Sequence, residues 1–366
     1  MLNRKLNVID LFCGCGGFSQ GFKQANYNVL LGIDHWEDAI ITYKKNFRSA
    51  LTFNGDITDL NGAHILKYLN VDADSIDVII GGPPCQGFSV SGKRIIDDPR
   101  NALYRKFVEI VSEIQPKVFV MENVPGLIRL FDGKVKSKVI KDFSEVGYNV
   151  NFQVMSSEQF GVPQVRKRVF FVGLNKEKLD NTKIFQFPDI KNGYGLGLNP
   201  IVTSKEAISD LDFIADDVAL FEEHEYHLPP ESEYQMMMRK NSDRIVNHVT
   251  TIHSDRTKEI INMVPDGGNY KDLPLHLRST RKVNIAWTRM NSKKPCFTID
   301  TGHNHHFHYR ANRVPTVRES ARIQSFPDDF IFYGIKTSQL KQVGNAVPPL
   351  LAEVLAKAIA DVIDRG

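Results

Sequence analysis

Five short apolar runs, each closing on a glycine or a polar residue, constrain the fold of this chain more than any other feature. They cover residues 7–12, 27–33, 50–54, 76–80 and 118–121, with helical patterns between them, such as Phe18-Phe22-Ala25 and residues 103–114. Strand-length runs alternating with helices predict an α/β fold around an open, mainly parallel sheet. Polar residues stand where the runs end: Asp34, Asp56 after Gly55, the Gly81-Gly82 step and Glu122. In such sheets ligands sit outside the carboxyl ends of the strands. These positions are therefore the candidates for chemistry.

Composition excludes several classes. At 366 residues, 42% apolar and 24% charged, the chain is that of an ordinary globular protein with ample core. No run is apolar and long enough to span a bilayer. The opening MLNRKLNVIDLF runs straight into a strand, which leaves no room for a secretory signal. Four cysteines are no disulfide framework for a chain of this length, and a reduced cytosol is expected. A net charge of +3 does not by itself argue for nucleic acid. The lysines at 134, 136, 138 and 141 read as a solvated helix face.

The turn Cys13-Gly14-Cys15-Gly16-Gly17 follows the first run and opens a helix, the arrangement that lets a backbone approach a ligand at a helix N-terminus. Its spacing is not the full dinucleotide fingerprint. Asp34 is placed either to take a ribose diol or to cap the helix starting near Trp36, and the two are compatible. Asp56 suits an adenine amino group. In GGPPCQGFS (81–89) two prolines stiffen the backbone before Cys85, which reads either as a nucleophile or as a small buried thiol. Glu122, after four apolar residues, is an ion pair or cap, or a functional carboxyl beside Cys85. Arg166 and Arg168, two apart on an extended segment, are expected to point the same way. No metal is expected: Cys13 and Cys15 lack a second pair, and His303, His305, His306 and His308 look like an alternating strand. After about residue 175 the alternation stops, and basic and aromatic residues are scattered as far as about 313. Beyond them, Thr316 and Glu319 form a capping box for a helix over 317–325, and a Gly-Asn-Ala-Val-Pro-Pro turn opens a last helix over 350–364.

Six stretches, in order, resemble the cytosine-C5 DNA methyltransferases of bacterial restriction-modification systems. They are DLFCGCGGF (10–18), GGPPCQGFS (81–89), ENV (122–124), QVRKR (164–168), RESARIQSFPD (318–328) and GNAVPP (344–349). Cys13, Cys15 and Ala346 are mild departures from the family pattern. The resemblance implies a Rossmann-like S-adenosylmethionine-dependent methyltransferase domain over 1–176. A smaller, irregular target recognition domain over 177–335 and a C-terminal helix over 336–366 would complete it. It makes Cys85 the nucleophile, Glu122 its partner carboxyl, Arg168 the contact to cytosine O2 and Arg166 its support. S-adenosyl-L-methionine would be held by Phe12, Gly14, Cys15, Gly16, Gly17, Asp34, His35, Asp56, Ile57, Pro84, Leu103, Asn345 and Val347, with Trp36 near the adenosine. Gln86, Ser89, Lys93, Arg94 and Arg100 would touch DNA from a loop over 88–101 that closes on a flipped base. The implied partners are double-stranded DNA and a cognate restriction endonuclease acting on the same site, with no membrane. A monomer in the bacterial cytoplasm, on the nucleoid, is the default. The competing readings are a tRNA cytosine-C5 methyltransferase and a DNA binder that has lost catalysis.

Overall fold

The computed structural model describes residues 4–84, 102–211, 223–278, 287–299 and 306–365. Cys85, Gln86, Ser89, Lys93, Arg94, Arg100, His303 and His305 lie outside the described residues. The chain divides into two compact units. One comprises Met1–Ser156, Lys167–Asp189 and Leu351–Gly366, and the other Ser157–Arg166 and Ile190–Leu350.

The first unit is built on a seven-stranded sheet. Its strands are β1 (Asn7–Leu11), β2 (Asn28–Asp34), β3 (Leu51–Asn54), β4 (Val78–Gly81), β5 (Val118–Asn123), β6 (Tyr148–Ser156) and β7 (Lys167–Asn175). Their order is β3-β2-β1-β4-β5-β7-β6. The first five are mutually parallel, whereas β7 runs antiparallel to both β5 and β6. The five apolar runs are thus the five parallel strands. The order reverses direction between β1 and β4, and in open α/β sheets ligands bind at the carboxyl ends of strands at such a switch point.

Helices α1 (Gly17–Gln24), α2 (Glu37–Asn46), α3 (Gly62–Leu69), α4 (Ala102–Ile114) and α5 (Lys134–Glu145) connect the strands. Period-2 alternation assigns the strand residues to two faces. On one, Ile9, Leu11, Ile33, Ile79, Phe119 and Phe171 join Phe107 and Ile110 of α4 and Val139 and Phe143 of α5 in a single core. Phe119 stacks on Phe143 at 3.9 Å, and its ring covers its cross-strand partner Gly173, where a Cβ would come within 2.0 Å of it. Each such buried Phe contributes about 2–3 kcal/mol. The opposite face carries Val8 and Asp10 under α1 and α2, where Tyr43 fills the space a Cβ on Gly32 would need. The lysine run does lie on a helix face, with Lys138 paired to Asp142 and Lys141 to Glu145 one turn on.

Among its described residues the second unit has little sheet: β8 (Glu223–Glu225) pairs with β9 (Arg244–Val246), and β10 (Thr288–Arg289) with β11 (His306–Phe307). Its helices are α6 (Ser204–Ile208), α7 (Glu233–Arg239), α8 (Asp255–Asn262), α9 (Leu275–Arg278), α10 (Val317–Ile323) and α11 (Lys336–Asn345). The capping box is present, with Thr316 and Glu319 each bonding the other's backbone. Every residue of α10 is buried, including Arg318, Glu319 and Arg322. Arg322 bonds Asp328 and Asp210, Arg318 bonds the carbonyls of Val246, Pro327 and Phe330, and Glu319 bonds Arg313. The RESARIQSFPD stretch is therefore the polar centre of this unit.

Residues 336–350, grouped with the last helix in the sequence reading, lie in the second unit, where Leu350 N donates to Ser325 Oγ at 3.1 Å. Residues 177–189 stay with the first, through Asn149 and Asn151 on β6 and a Lys178–Asp74 pair. The closing helix α12 (Pro349–Arg365) belongs to the first unit from Leu351 onward, and Tyr27 Oη donates to its Ala356 carbonyl. Among the described residues no helix is long and apolar enough to cross a membrane.

Candidate active site

Glu122 and Arg168 meet at one edge of the first unit's sheet. Glu122 stands opposite Phe170 in the β5–β7 register, and Arg168 lies two residues from Phe170 on the same face of β7. That diagonal brings the Arg168 Nε to 2.9 Å from Glu122 Oε1, with both side chains about five-sixths buried, at 17% and 15% exposed. The ion pair offsets the cost of holding a carboxylate at the end of an apolar strand. A Cβ on Gly82 would come within 3.0 Å of Glu122 Oε2, so the Gly81-Gly82 step keeps this carboxylate open to the loop after β4.

Asn123 was not singled out by sequence reasoning, and it ties the two strand ends together. Its Nδ2 donates to the Pro83 carbonyl at 3.0 Å, while its Oδ1 accepts from Val124 N. This fixes the backbone two residues before Cys85. An amide directly after a candidate carboxylate at a strand end was the available signal.

Arg166 does not share the strand of Arg168. It precedes β7, belongs to the second unit and is 2% exposed. The alternation argument that aimed both arginines the same way therefore covers Arg168 alone. Neighbouring Gln164 is also buried in the second unit, where its Oε1 accepts from Ile299 N.

The glycine turn occupies the adjacent end of β1. Phe12, at φ 62°, and Gly14, at φ 52°, turn the chain in the left-handed region, and a Cβ on Gly14 would meet nothing within 4 Å. Gly14 N donates to Asp34 Oδ2 and Trp36 N to Asp34 Oδ1, both at 2.9 Å. Asp34 thus braces the turn and the entry to α2, whose cap position is Trp36 itself. His35, exposed, sits 3.3 Å from Asp34 Oδ1. Asp56 is exposed and accepts from Thr58 N, and that backbone bond holds its carboxyl below the ordinary range. Cys15, Gly16, Gly17 and Ile57 are buried, whereas Phe12, Gly14, Pro84 and Leu103 are half-buried. Burial pushes the Cys15 thiol up to about 12 and the Cys13 thiol well above its usual value. Asn345, exposed, and Val347, buried, lie in the second unit. In the first unit, then, a braced glycine turn after β1 and a carboxylate–guanidinium pair at β5 flank the end of β4, from which the Pro83-Pro84 segment leaves.

A family model described as C-5 cytosine-specific DNA methylase matches residues 6–361. The chain is 37% identical to the type II methyltransferase M1.HphI of Haemophilus parahaemolyticus, over 97% of its own length and 86% of the relative's. It is 40% identical to M.DdeI of Desulfomicrobium norvegicum, covering 97% and 88%. Among solved structures, one described as a DNA modification methyltransferase encoded within a prophage (E. coli) superposes with a TM-score of 0.79 at 31% identity, covering 98% of this chain and all of that one. The S. pombe Dnmt2 methyltransferase shares the fold, with a TM-score of 0.57 at 16% identity and 99% of each chain covered.

Proposed function

The chain belongs to the C-5 cytosine-specific DNA methylases, and from that premise we propose that it methylates C5 of a flipped cytosine in a specific duplex sequence through a covalent Cys85 adduct. The observation that carries this reading is the Glu122–Arg168 pair facing the Gly-Gly-Pro-Pro step that leads into Cys85.

The Cys85 thiolate adds to C6 of the ring, and the proton the thiol gave up ends at N3. Glu122 accepts from N3–H and from the exocyclic amino group, so it holds at N3 the proton that neutralises the negative charge brought by sulfur. Arg168, already bonded to Glu122, orients that carboxylate and reaches for O2, and Arg166 supports the site. Asn123 holds the Pro83 backbone against the strand end of Glu122. Carbon C5, now enamine-like, takes the methyl group. Its own proton leaves to water, the C6–S bond breaks and the N3 proton returns to the Cys85 sulfur. One proton is released per methyl transferred.

The residues of the first strand turn fit S-adenosyl-L-methionine. The open space above Gly14 admits a ligand against the backbone, and Asp34, braced through one lone pair on each oxygen, keeps others for a ribose diol. Phe12, Gly14, Cys15, Gly16 and Gly17 would hold the methionine part, Asp34 and His35 the ribose, and Asp56 and Ile57 the adenine. Pro84, Leu103, Asn345 and Val347 complete the set. When bound, this cofactor supplies an electrophilic methyl on a sulfonium.

A cytosine inside a duplex is out of reach, so the base is flipped at a cost of a few kcal/mol. Gln86, Ser89, Lys93, Arg94 and Arg100 hold it and its phosphates, and the second unit reads the flanking sequence. The product protects DNA from a cognate restriction endonuclease, in the bacterial cytoplasm on the nucleoid, and the enzyme acts as a monomer.

The test is duplex DNA carrying 5-fluorocytosine, incubated with protein and cofactor and run on a denaturing gel. Fluorine cannot leave as a proton, so a covalent band is expected and is lost in Cys85→Ser. Trapping on tRNA but on no duplex would move the substrate to RNA. DNA binding without trapping or transfer would refute the enzyme mechanism.

A further inference from the structure

Beneath the glycine turn lies a buried carboxyl that the reaction above leaves unused. Asp10, 1% exposed, lies on the α1 side of β1 and accepts from Ser19 Oγ at 2.7 Å. With that proton committed, the Tyr43 hydroxyl of α2 donates to Ser19 Oγ at 2.8 Å. The Ser19 backbone N–H also reaches Asp10. Asp10 therefore stands at the start of α1, whose own cap position, Gly16, offers no side chain. Among the described residues no lysine, arginine or histidine pairs with it. The titratable groups that face it are Asp34 at the end of β2, Cys13 and Cys15 in the glycine turn, and Tyr43 on α2, all neutral or negative. Burial, with a smaller push from Asp34, raises the Asp10 carboxyl to about 8.

An acid buried without a counter-charge is costly to ionise until a cation arrives. The cofactor assigned to this turn is a cation before transfer and a neutral thioether after it. We propose that Asp10 distinguishes the two: it gives up its proton to solvent when the sulfonium binds and keeps it when the demethylated product binds. The inference rests on the cofactor reading above. Its consequence is that product is held less tightly than donor by a term the donor's charge creates. A shift of one pKa unit in Asp10 on binding corresponds to about tenfold in relative affinity.

The test uses the full chain and isothermal titration with S-adenosylmethionine and S-adenosylhomocysteine, in two buffers of different ionisation enthalpy. We expect more protons released with the sulfonium than with the thioether near pH 7.5. From pH 6.5 to 9 we expect about a five- to tenfold gain in affinity for the sulfonium relative to the thioether. Both effects should vanish in Asp10→Asn, whereas the titration of the ligands' own amino groups is common to both proteins and cancels. A difference that persists unchanged in Asp10→Asn, or no difference in the wild type, overturns the proposal. Should Asp10→Asn not fold, Tyr43→Phe removes the hydroxyl that polarises Ser19 and must move the midpoint to higher pH, and an unmoved midpoint counts against the proposal equally. If neither ligand binds the wild type, the cofactor reading falls and this inference with it.

Discussion

Replacing Arg322 with methionine tests whether the RESARIQSFPD stretch is scaffold. Arg322 Nε and Nη2 each lie 2.6 Å from Asp328, and Nη1 and Nη2 lie 3.1 and 3.2 Å from Asp210. All three side chains are fully buried. Burial pushes the Asp328 carboxyl up, but the Arg322 charge and bonds more than offset this and hold it below the usual range. Asp210, with longer bonds to the same guanidinium, is left above it, mainly by burial. Methionine fills much of the volume and removes the cation. Arg318, 3.8 Å from Asp328, and Arg239, 3.3 Å from Asp210, remain as partial compensation. Stranding a buried charge costs about 3–5 kcal/mol, and the remaining arginines place this case near the lower bound. At about 2–4 °C per kcal/mol for a unit of this size, the midpoint of thermal unfolding should fall by roughly 6–12 °C. Circular dichroism of the full chain, with urea titration as a cross-check, measures it. Adding Asp210→Asn and Asp328→Asn to the methionine variant should recover none of the loss, since Arg318, fully buried, and Arg239 would then lose their own carboxylate partners. A loss below about 1 kcal/mol, or a triple variant more stable than the single, would refute the reasoning.

Other expectations follow from the same geometry. Glu122→Gln should lower kcat by about 10²–10⁴-fold in a methyl-transfer assay while duplex affinity stays within a few fold; equal losses in both would make Glu122 a binding residue. Buried Cys13, Cys15 and Cys296, all with raised thiols, should react with a maleimide far more slowly than one remaining thiol per native chain. Mass spectrometry should place that label on Cys85, and several fast labels would contradict the burial. Burial pushes the His248 imidazole down to about 4 from 6.5, so between those values only the unfolded chain takes up the proton. Stability should then drop by roughly 2–3 kcal/mol as pH falls from 7 to 4, and His248→Gln should flatten that part of the profile. Asp10 has the opposite sign, because its folded value is raised. Its contribution is lost as pH rises, and Asp10→Asn should stabilise the protein by on the order of 2 kcal/mol at pH 8 and by little at pH 4.

The parallel strands were legible because their apolar runs need no partner to be recognised, and the capping box because it is local. What escaped was long-range. The strand β6 carries Asn149, Asn151 and Gln153 between its apolar residues, as an edge strand can, and so gave no strong run. Arg166 and Arg168 are two residues apart, and the chain passes from one compact unit to the other between them. The arginines of RESARIQSFPD look like surface charge until Asp210, more than a hundred positions away, is brought to Arg322. Asn123 gave only its place after Glu122 as a sign, because its partner is a backbone carbonyl, which no side-chain pattern reveals.

The reversal of β7 is what makes the Glu122–Arg168 pair attainable. Arg168 is the second residue of its strand, and Glu122 the second from last of β5. Were β7 parallel to β5, the start of one strand would lie at the opposite edge of the sheet from the end of the other, about 3.3 Å away for each residue between. The antiparallel register instead sets Asn123 against Val169 and lets Arg168 overhang at the carboxyl edge. A slip of one residue in that register would carry the guanidinium to the other face, away from Glu122. The reversed strand therefore takes a guanidinium encoded forty-six positions downstream of Glu122 and delivers it to the one edge where the parallel strands end.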